Sequence, residues 1–262
     1  IFNFRDNKKG IDHEIHFCEN YSHRCLTHFY GFLMKNEQKV GFIYEYMCNG
    51  SLLTQNKFTT LNSMYFINRI FQGIEYLHKN NLIHRDLKPY NILLDHDYTP
   101  YVSDFDTIRH PLDKSQEKNE LNEITNDIGS VYYISPEQNG LITEESVSYP
   151  TDIYSFGLII YYILYGEDMK ISNKKTNQIN NSEFSKKIDY LINWCTKYLP
   201  SKRPTCNEIK DILIDEFNSF SNLEQEIKNP NLKDLVNLFY ENFMIEQNNQ
   251  KEINRTIINV FN

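Results

Sequence analysis

The sequence predicts an α+β fold, with a short strand-rich segment followed by a longer helical one. Three observations carry this prediction. Up to about Glu45 the apolar residues fall in short alternating runs, beyond Ser51 they recur at helical spacing, and the polar break Cys48-Asn49-Gly50-Ser51 separates the two textures. With 262 residues, 40% of them hydrophobic and 24% charged, the chain can bury the core of one large domain or two small lobes, and disordered and collagen-like classes are excluded.

Taken in order, Ile1 to Arg5 alternates as a strand, and a helix is expected around Asp12 to Tyr21. Thr27 to Met34 and Val40 to Glu45 read as two strands joined by the polar turn Lys35-Asn36-Glu37-Gln38. From Leu61 to Lys79, Met64, Ile67, Ile70, Phe71, Ile74 and Leu77 recur at helical spacing, and Asn80-Asn81 ends the run. Asp152 to Tyr165 is apolar nearly all round, as in a helix buried at a domain centre, and Gly166 stops it. Lys170 to Asn181 is Asn/Lys-rich and reads as a loop; helices are expected again over Lys186 to Lys197 and Asn207 to Phe217. From Ser219 the texture changes, and Leu232, Leu235, Phe239 and Phe243 form a helical stripe after Asn229-Pro230. That stripe either packs back on the main domain or binds a protein partner.

A net charge of -8 argues against a nucleic-acid partner, since phosphate-backbone binding needs a Lys/Arg surplus. The longest apolar stretch, Phe156 to Tyr165, is too short to cross a bilayer and carries three tyrosines, so no membrane role is expected. Five widely spaced cysteines without a C-x-x-C pair suggest neither a disulfide framework nor a zinc site, and a cytoplasmic location is the expectation. The chain opens on Ile1 within an alternating pattern, as a strand entered partway does, so it is expected to be an N-terminally truncated piece of something longer.

The densest chemistry lies in His84-Arg85-Asp86-Leu87-Lys88-Pro89-Tyr90-Asn91, a loop between a helix and the apolar strand Ile92 to Leu94. It places a carboxylate, an ammonium and an amide within six residues. Its five matches to H-R-D-L-x-x-x-N would arise by chance in such a chain on the order of once in ten thousand. Asp104-Phe105 follows the strand-like Tyr101-Val102-Ser103, and Ser135-Pro136-Glu137 comes after it. In this order the motifs resemble those of a protein kinase catalytic domain, over about Ile1 to Phe217. The resemblance implies a bilobal α+β fold: a kinase domain over 1–218, with a partial small lobe (1–45), a hinge (46–50) and a large lobe (51–218), then a helical C-terminal extension over 219–262.

The resemblance also implies ATP and Mg2+ as cofactors, a protein substrate, and a set of roles. Asp86 would accept or orient the proton of the substrate hydroxyl, Lys88 would sit near the transferred phosphate, and Asn91 and Asp104 would hold the metal. Glu14, nine residues before His23, resembles the helix glutamate that pairs with a strand lysine; alone it reads as a solvated helix charge. Ile43-Tyr44-Glu45-Tyr46-Met47 resembles the hinge strand, with backbone groups of Glu45 and Met47 toward adenine, Tyr44 as gatekeeper and Leu93 as adenine floor or plain core leucine. Asp152 in Asp-Ile-Tyr-Ser-Phe-Gly resembles the buried aspartate that anchors the catalytic loop, a reading close to that of a plain helix cap. Glu137 and Arg203 resemble the pair that ties the activation segment to the large lobe.

Lys88-Pro89 together with Ser130 resembles serine/threonine kinases, in which this hydroxyl bonds the catalytic acid and lysine. The Asp-Ile-Tyr-Ser-Phe-Gly string and Tyr46-Met47 resemble tyrosine kinases, and the mixture is that of the tyrosine-kinase-like group of serine/threonine kinases. Arg85 is expected to hold a phosphate on the activation segment, with Thr125 the best-placed hydroxyl and Ser115 second. Two departures stand out. No glycine-rich loop or strand lysine is present, Lys8 and Lys9 reading as a polar loop. Aspartate stands at 106 where the family carries glycine, a change that can either recruit magnesium or disturb it. These departures motivate the alternative of a pseudokinase scaffold that binds partners without efficient phosphoryl transfer.

Overall fold

The computed structural model describes residues 8–54, 60–111, 130–142, 147–169 and 183–223. The expected strand at Ile1 to Arg5, the loop at Lys170 to Asn181, Thr125, Ser115 and the stripe from Leu232 to Phe243 lie outside the described residues.

Helix α1 spans Lys8–Asn20, so Lys8 and Lys9, expected in a loop, are its first residues. Lysine is a good helix former, and the single Gly10 does not outweigh the residues that follow. Strands β1 (Phe29–Lys35) and β2 (Gln38–Tyr44) form an antiparallel hairpin closed by the pair Lys35 and Gln38. Between them Asn36 and Glu37 both adopt positive φ, 49° and 65°, as a two-residue turn matched to strand twist requires. Phe29, Phe32, Phe42 and Tyr44 pack ring against ring on this hairpin.

Helix α2 spans Thr60–Lys79, and its whole predicted apolar stripe from Met64 to Leu77 is buried. It ends as the sequence suggests. The Asn80 side chain donates to the Tyr76 carbonyl (2.8 Å), Asn81 turns left-handed (φ 58°), and the Leu82 N–H reaches back to the Leu77 carbonyl (2.9 Å). Two short antiparallel strands follow, β3 (Ile92–Leu94) and β4 (Pro100–Val102), with Ile92 opposite Val102. Their link is an aspartate turn in which Asp95 Oδ1 accepts from the N–H groups of Asp97 and Thr99, at 2.9 and 2.8 Å.

Helix α3 spans Tyr149–Tyr165, three residues longer at its start than the apolar run indicates, because Pro150 suits a first turn and Thr151 Oγ1 accepts from the Ser148 N–H (3.3 Å). It stops at Gly166, whose φ of 70° and N–H to the Tyr162 carbonyl (2.8 Å) make a left-handed cap. It packs on α2 and on helix α4 (Glu183–Cys195), and its residues Ile153, Phe156, Ile159 and Ile160 form the centre of the core. Helix α5 spans Cys206–Leu223 and begins with a reciprocal cap: Thr205 N–H donates to Glu208 Oε2 (2.8 Å). It runs unbroken through Asn218 and Ser219, where the sequence texture changes. The chain divides into two compact units, residues 1–212 and 213–262; of the second, the described part is the C-terminal portion of α5.

Candidate active site

The loop from His84 to Asn91 leaves α2 and enters β3, and three sets of contacts hold it. From below, the buried Asp152 of α3 accepts the His84 N–H on Oδ2 (2.8 Å) and the Arg85 N–H on Oδ1 (2.9 Å). Asp152 is therefore an anchor for the loop rather than a helix cap. Arg85 sits at φ 73°, a conformation that L side chains resist by about 1 kcal/mol or more; the Asp152 bond and a 2.6 Å bond from Gln138 Nε2 to its carbonyl hold it there. From the side, His84 Nε2 meets the Ser103 carbonyl at 3.0 Å, and Thr107 Oγ1 donates to the His84 carbonyl at 2.7 Å. At the far end, both the N–H and the hydroxyl of Ser103 donate to the Asn91 carbonyl, each at 2.9 Å. The loop and the segment around Asp104 are thus tied together by four hydrogen bonds.

Within the loop, Asp86 Oδ2 accepts from Asn91 Nδ2 (2.9 Å) and pairs with Lys88 Nζ (2.9 Å), while Asn91 Nδ2 also bonds the Asp86 carbonyl (2.8 Å). Side chains five residues apart in sequence converge because the Pro89–Asn91 turn folds the chain back. Asp104 has φ 68°, and Phe105 beside it is buried between His84 and Phe17, with ring centroids 6.1 and 4.4 Å away. The Asp104 side chain retains solvent-facing surface, yet dense protein around it raises its carboxyl well above the ordinary range. The carboxylates of Asp106, Asp86 and Glu14 push in the same direction and Lys88 opposes them. The left-handed backbone that the family's glycine suggested for position 106 falls instead on Asp104, so Asp106 needs no glycine-like conformation.

Glu14 of α1 faces this group and receives the Tyr44 hydroxyl at 2.5 Å. Burial lifts its carboxyl to about 7, the Tyr44 bond works against that, and Asp106 adds to it. Tyr44 also lies 3.0 Å from Cys18 Sγ, and burial beside Glu14 drives its hydroxyl far upward, keeping it a neutral donor. Along the hinge, Glu45 N–H is taken by the His28 carbonyl (2.9 Å) and the Met47 carbonyl by Gly50 N–H (3.1 Å). Tyr46 points to solvent and Met47 is buried. Leu93 lies opposite Tyr101 in the β3–β4 pair and bridges to Ser51.

Away from this cluster, Arg203 holds Glu137 by two parallel bonds, Nη1 to Oε1 (2.7 Å) and Nη2 to Oε2 (2.8 Å), both side chains buried. Burial would raise Glu137, but the guanidinium keeps it below the usual carboxylate range. Thr151 Oγ1 adds a third bond to Glu137 (2.9 Å). Ser130 begins the 3-10 turn Ser130–Tyr133. Sequence reasoning missed His78, whose Nε2 meets Asp152 Oδ2 at 2.9 Å, and Gln138. A histidine on α2 one residue past the core Leu77 was the available signal for the first; nothing local marks the second.

The donor set suits a hard divalent cation. Asn91 spends its Nδ2 on Asp86, which turns its carbonyl oxygen elsewhere, and the crowding that raises Asp104 is what a cation would relieve.

A two-helix-supported catalytic loop with an Asp-Lys-Asn constellation, joined to an Asp-Phe segment and facing a helix glutamate, defines a kinase-type phosphotransferase domain. The protein kinase domain model matches residues 3–213, and the chain belongs to that family. It is 31% identical to the serine/threonine-protein kinase PKH2 of Candida albicans, an alignment covering 77% of this chain and 23% of that protein. It is 30% identical to mitogen-activated protein kinase kinase 3 of Arabidopsis thaliana, covering 73% and 39%, and 27% identical to the Aurora kinase of Eremothecium gossypii, covering 78% and 56%. The chain thus spans well under half the length of the first two of these relatives.

Proposed function

We propose that the chain is the catalytic part of an ATP- and Mg2+-dependent serine/threonine kinase of the tyrosine-kinase-like group, acting on protein hydroxyls. The observation that carries this reading is the convergence of Asn91 and Lys88 on one oxygen of Asp86. With Oδ2 engaged twice, Oδ1 is the oxygen that accepts the proton of an incoming serine or threonine hydroxyl, and the bonds to Oδ2 hold it in line. Lys88 supplies positive charge toward the moving phosphoryl group and Ser130 the hydroxyl that orients acid and lysine. Asn91 and Asp104 are the residues that would hold the metal, which supplies charge neutralisation on the phosphates. The hinge bonds above leave the Glu45 carbonyl and the Met47 N–H to meet adenine, between Tyr44 and Leu93. Arg85 and Thr125 form the phosphate-dependent ordering pair of the activation segment, Glu137 and Arg203 its structural footing, Asp152 the anchor of the catalytic loop, and residues 219–262 a helical extension.

The pseudokinase alternative is favoured by one contact: the Glu14 carboxylate is engaged by Tyr44 rather than by a lysine. Transfer of labelled phosphate from ATP to an acceptor protein separates the two. Asp86→Asn should lower turnover by about 100- to 10,000-fold with the fold unchanged, and the label should appear on serine or threonine. Equal turnover in parent and variant would refute the role of Asp86; nucleotide binding with no turnover in the parent would establish the scaffold.

A further inference from the structure

At the start of α3, three side chains from distant parts of the chain line up. Asp152 Oδ2 faces His78 Nε2 at 2.9 Å, and His78 Nδ1 faces Cys206 Sγ at 3.3 Å. Asp152 and His78 are buried, whereas Cys206 is partly exposed. A nucleophile within hydrogen-bond reach of an imidazole, itself oriented by a carboxylate on its other nitrogen, is the arrangement by which thiols are activated. Cys206 is also the first residue of the 18-residue α5, where backbone N–H groups favour negative charge. The phosphoryl-transfer residues do not touch this sulfur.

We propose that Cys206 is an activated thiol, a site of two-electron oxidation by small hydroperoxides, with His78 and Asp152 as the groups that orient and assist it. The Asp152 carboxylate already accepts the N–H groups of His84 and Arg85, so its charge is fixed in place and points a protonated imidazole at the sulfur. Burial would lower His78, but its bonds to Asp152 and Cys206 hold it up at about 9. In the reaction the sulfur attacks the nearer peroxide oxygen, the S–O bond forms and the O–O bond breaks. The departing hydroxide takes the Nδ1 proton of His78 and leaves as water, and the proton lost from the thiol restores the imidazolium. Sulfur is oxidised by two electrons and the peroxide is reduced, so thiol plus hydrogen peroxide gives sulfenic acid plus water, and an alkyl hydroperoxide gives sulfenic acid plus the alcohol, its alkoxide taking the same proton. The ring of Tyr149 packs tilted against His78, centroids 4.9 Å apart, and helps to hold the imidazole in place.

Cys48, exposed and with no such partner pair among the described residues, is the internal reference. The intact chain is treated with limiting hydrogen peroxide, sulfenic acid is trapped with dimedone, and each cysteine peptide is quantified by mass spectrometry. Cys206, although less exposed, should be trapped at least tenfold faster than Cys48, and His78→Asn should bring it down to the Cys48 rate. A Cys206 rate in the parent at or below that of Cys48 would overturn the proposal, and this comparison stands even where the His78 variant does not fold. A folded His78→Asn protein that keeps the full Cys206 rate would overturn it equally.

Discussion

At the scale of single residues, Glu14 sits near neutrality because two opposing influences act on one carboxyl. Burial lifts it to about 7 and the Tyr44 hydroxyl, 2.5 Å away, pulls the other way. Removing that hydroxyl with Tyr44→Phe should therefore move Glu14 further up, which a carboxyl-carbon NMR titration would read; a downward or absent shift would contradict the bond. His78 carries the opposite chemistry. Its imidazole lies at about 9 in the folded protein against 6.5 for the ordinary group, so the stabilisation it contributes is complete below about 6.5 and lost as pH rises through about 9. Thermal midpoints should keep falling as pH rises from about 8 to 9, beyond most of the titration of Glu14 at about 7, and His78→Asn should flatten that slope. A slope untouched by the substitution would place its origin elsewhere. Arg203 is costly to remove: Arg203→Ala leaves the Glu137 carboxylate buried without its counter-charge, a loss of about 3–5 kcal/mol measurable by urea unfolding.

At the scale of elements, close approach of α3 to α4 depends on a missing side chain. A Cβ at Gly157 would lie 2.6 Å from Cys195 Cβ and 3.0 Å from Thr196 Cγ2, and neither neighbour is a flexible chain end. Gly73 on α2 is under less pressure, its nearest atom being Val102 Cγ2 at 3.0 Å. Alanine gains about 1 kcal/mol of helix propensity at either place, so overpacking must exceed that to show. Gly157→Ala should destabilise by about 1–3 kcal/mol net and Gly73→Ala by less. Thermal melts that rank the two in reverse would refute this account of the α3–α4 contact. The same dependence on neighbours explains why α3 starts at Tyr149: Ser148, Pro150 and Thr151 extend it beyond the apolar run.

At the scale of the molecule, the region of residues 1–212 should not open uniformly. The N–H groups of His84 and Arg85 end on a fully buried carboxylate at the core, whereas the β1–β2 hairpin leaves Tyr30, Leu33 and Met34 exposed. Amide hydrogen exchange should find His84 and Arg85 as protected as the middle of α3, and the hairpin amides exchanging well before them. Hairpin amides as slow as those of α3 would mean that the two open together.

The order of the described elements and the position of the loop from His84 to Asn91 are legible in the sequence, because both are local. Helical stripes such as Met64 to Leu77 and the turn at Asn36-Glu37 follow from spacing and backbone preference over a few residues. The spacing of Asp86, Lys88 and Asn91 is likewise set within one turn of chain. Only the tertiary structure decided which carboxylate takes the left-handed backbone, Asp104 and not Asp106, and that Tyr44 reaches Glu14. It alone brought His78 to both Asp152 and Cys206, positions 74 and 128 residues away. The physical reason is the range of the forces involved. Periodicity records which face of an element avoids water, whereas a hydrogen bond between side chains is satisfied within about 3 Å of a partner that any part of the chain can supply.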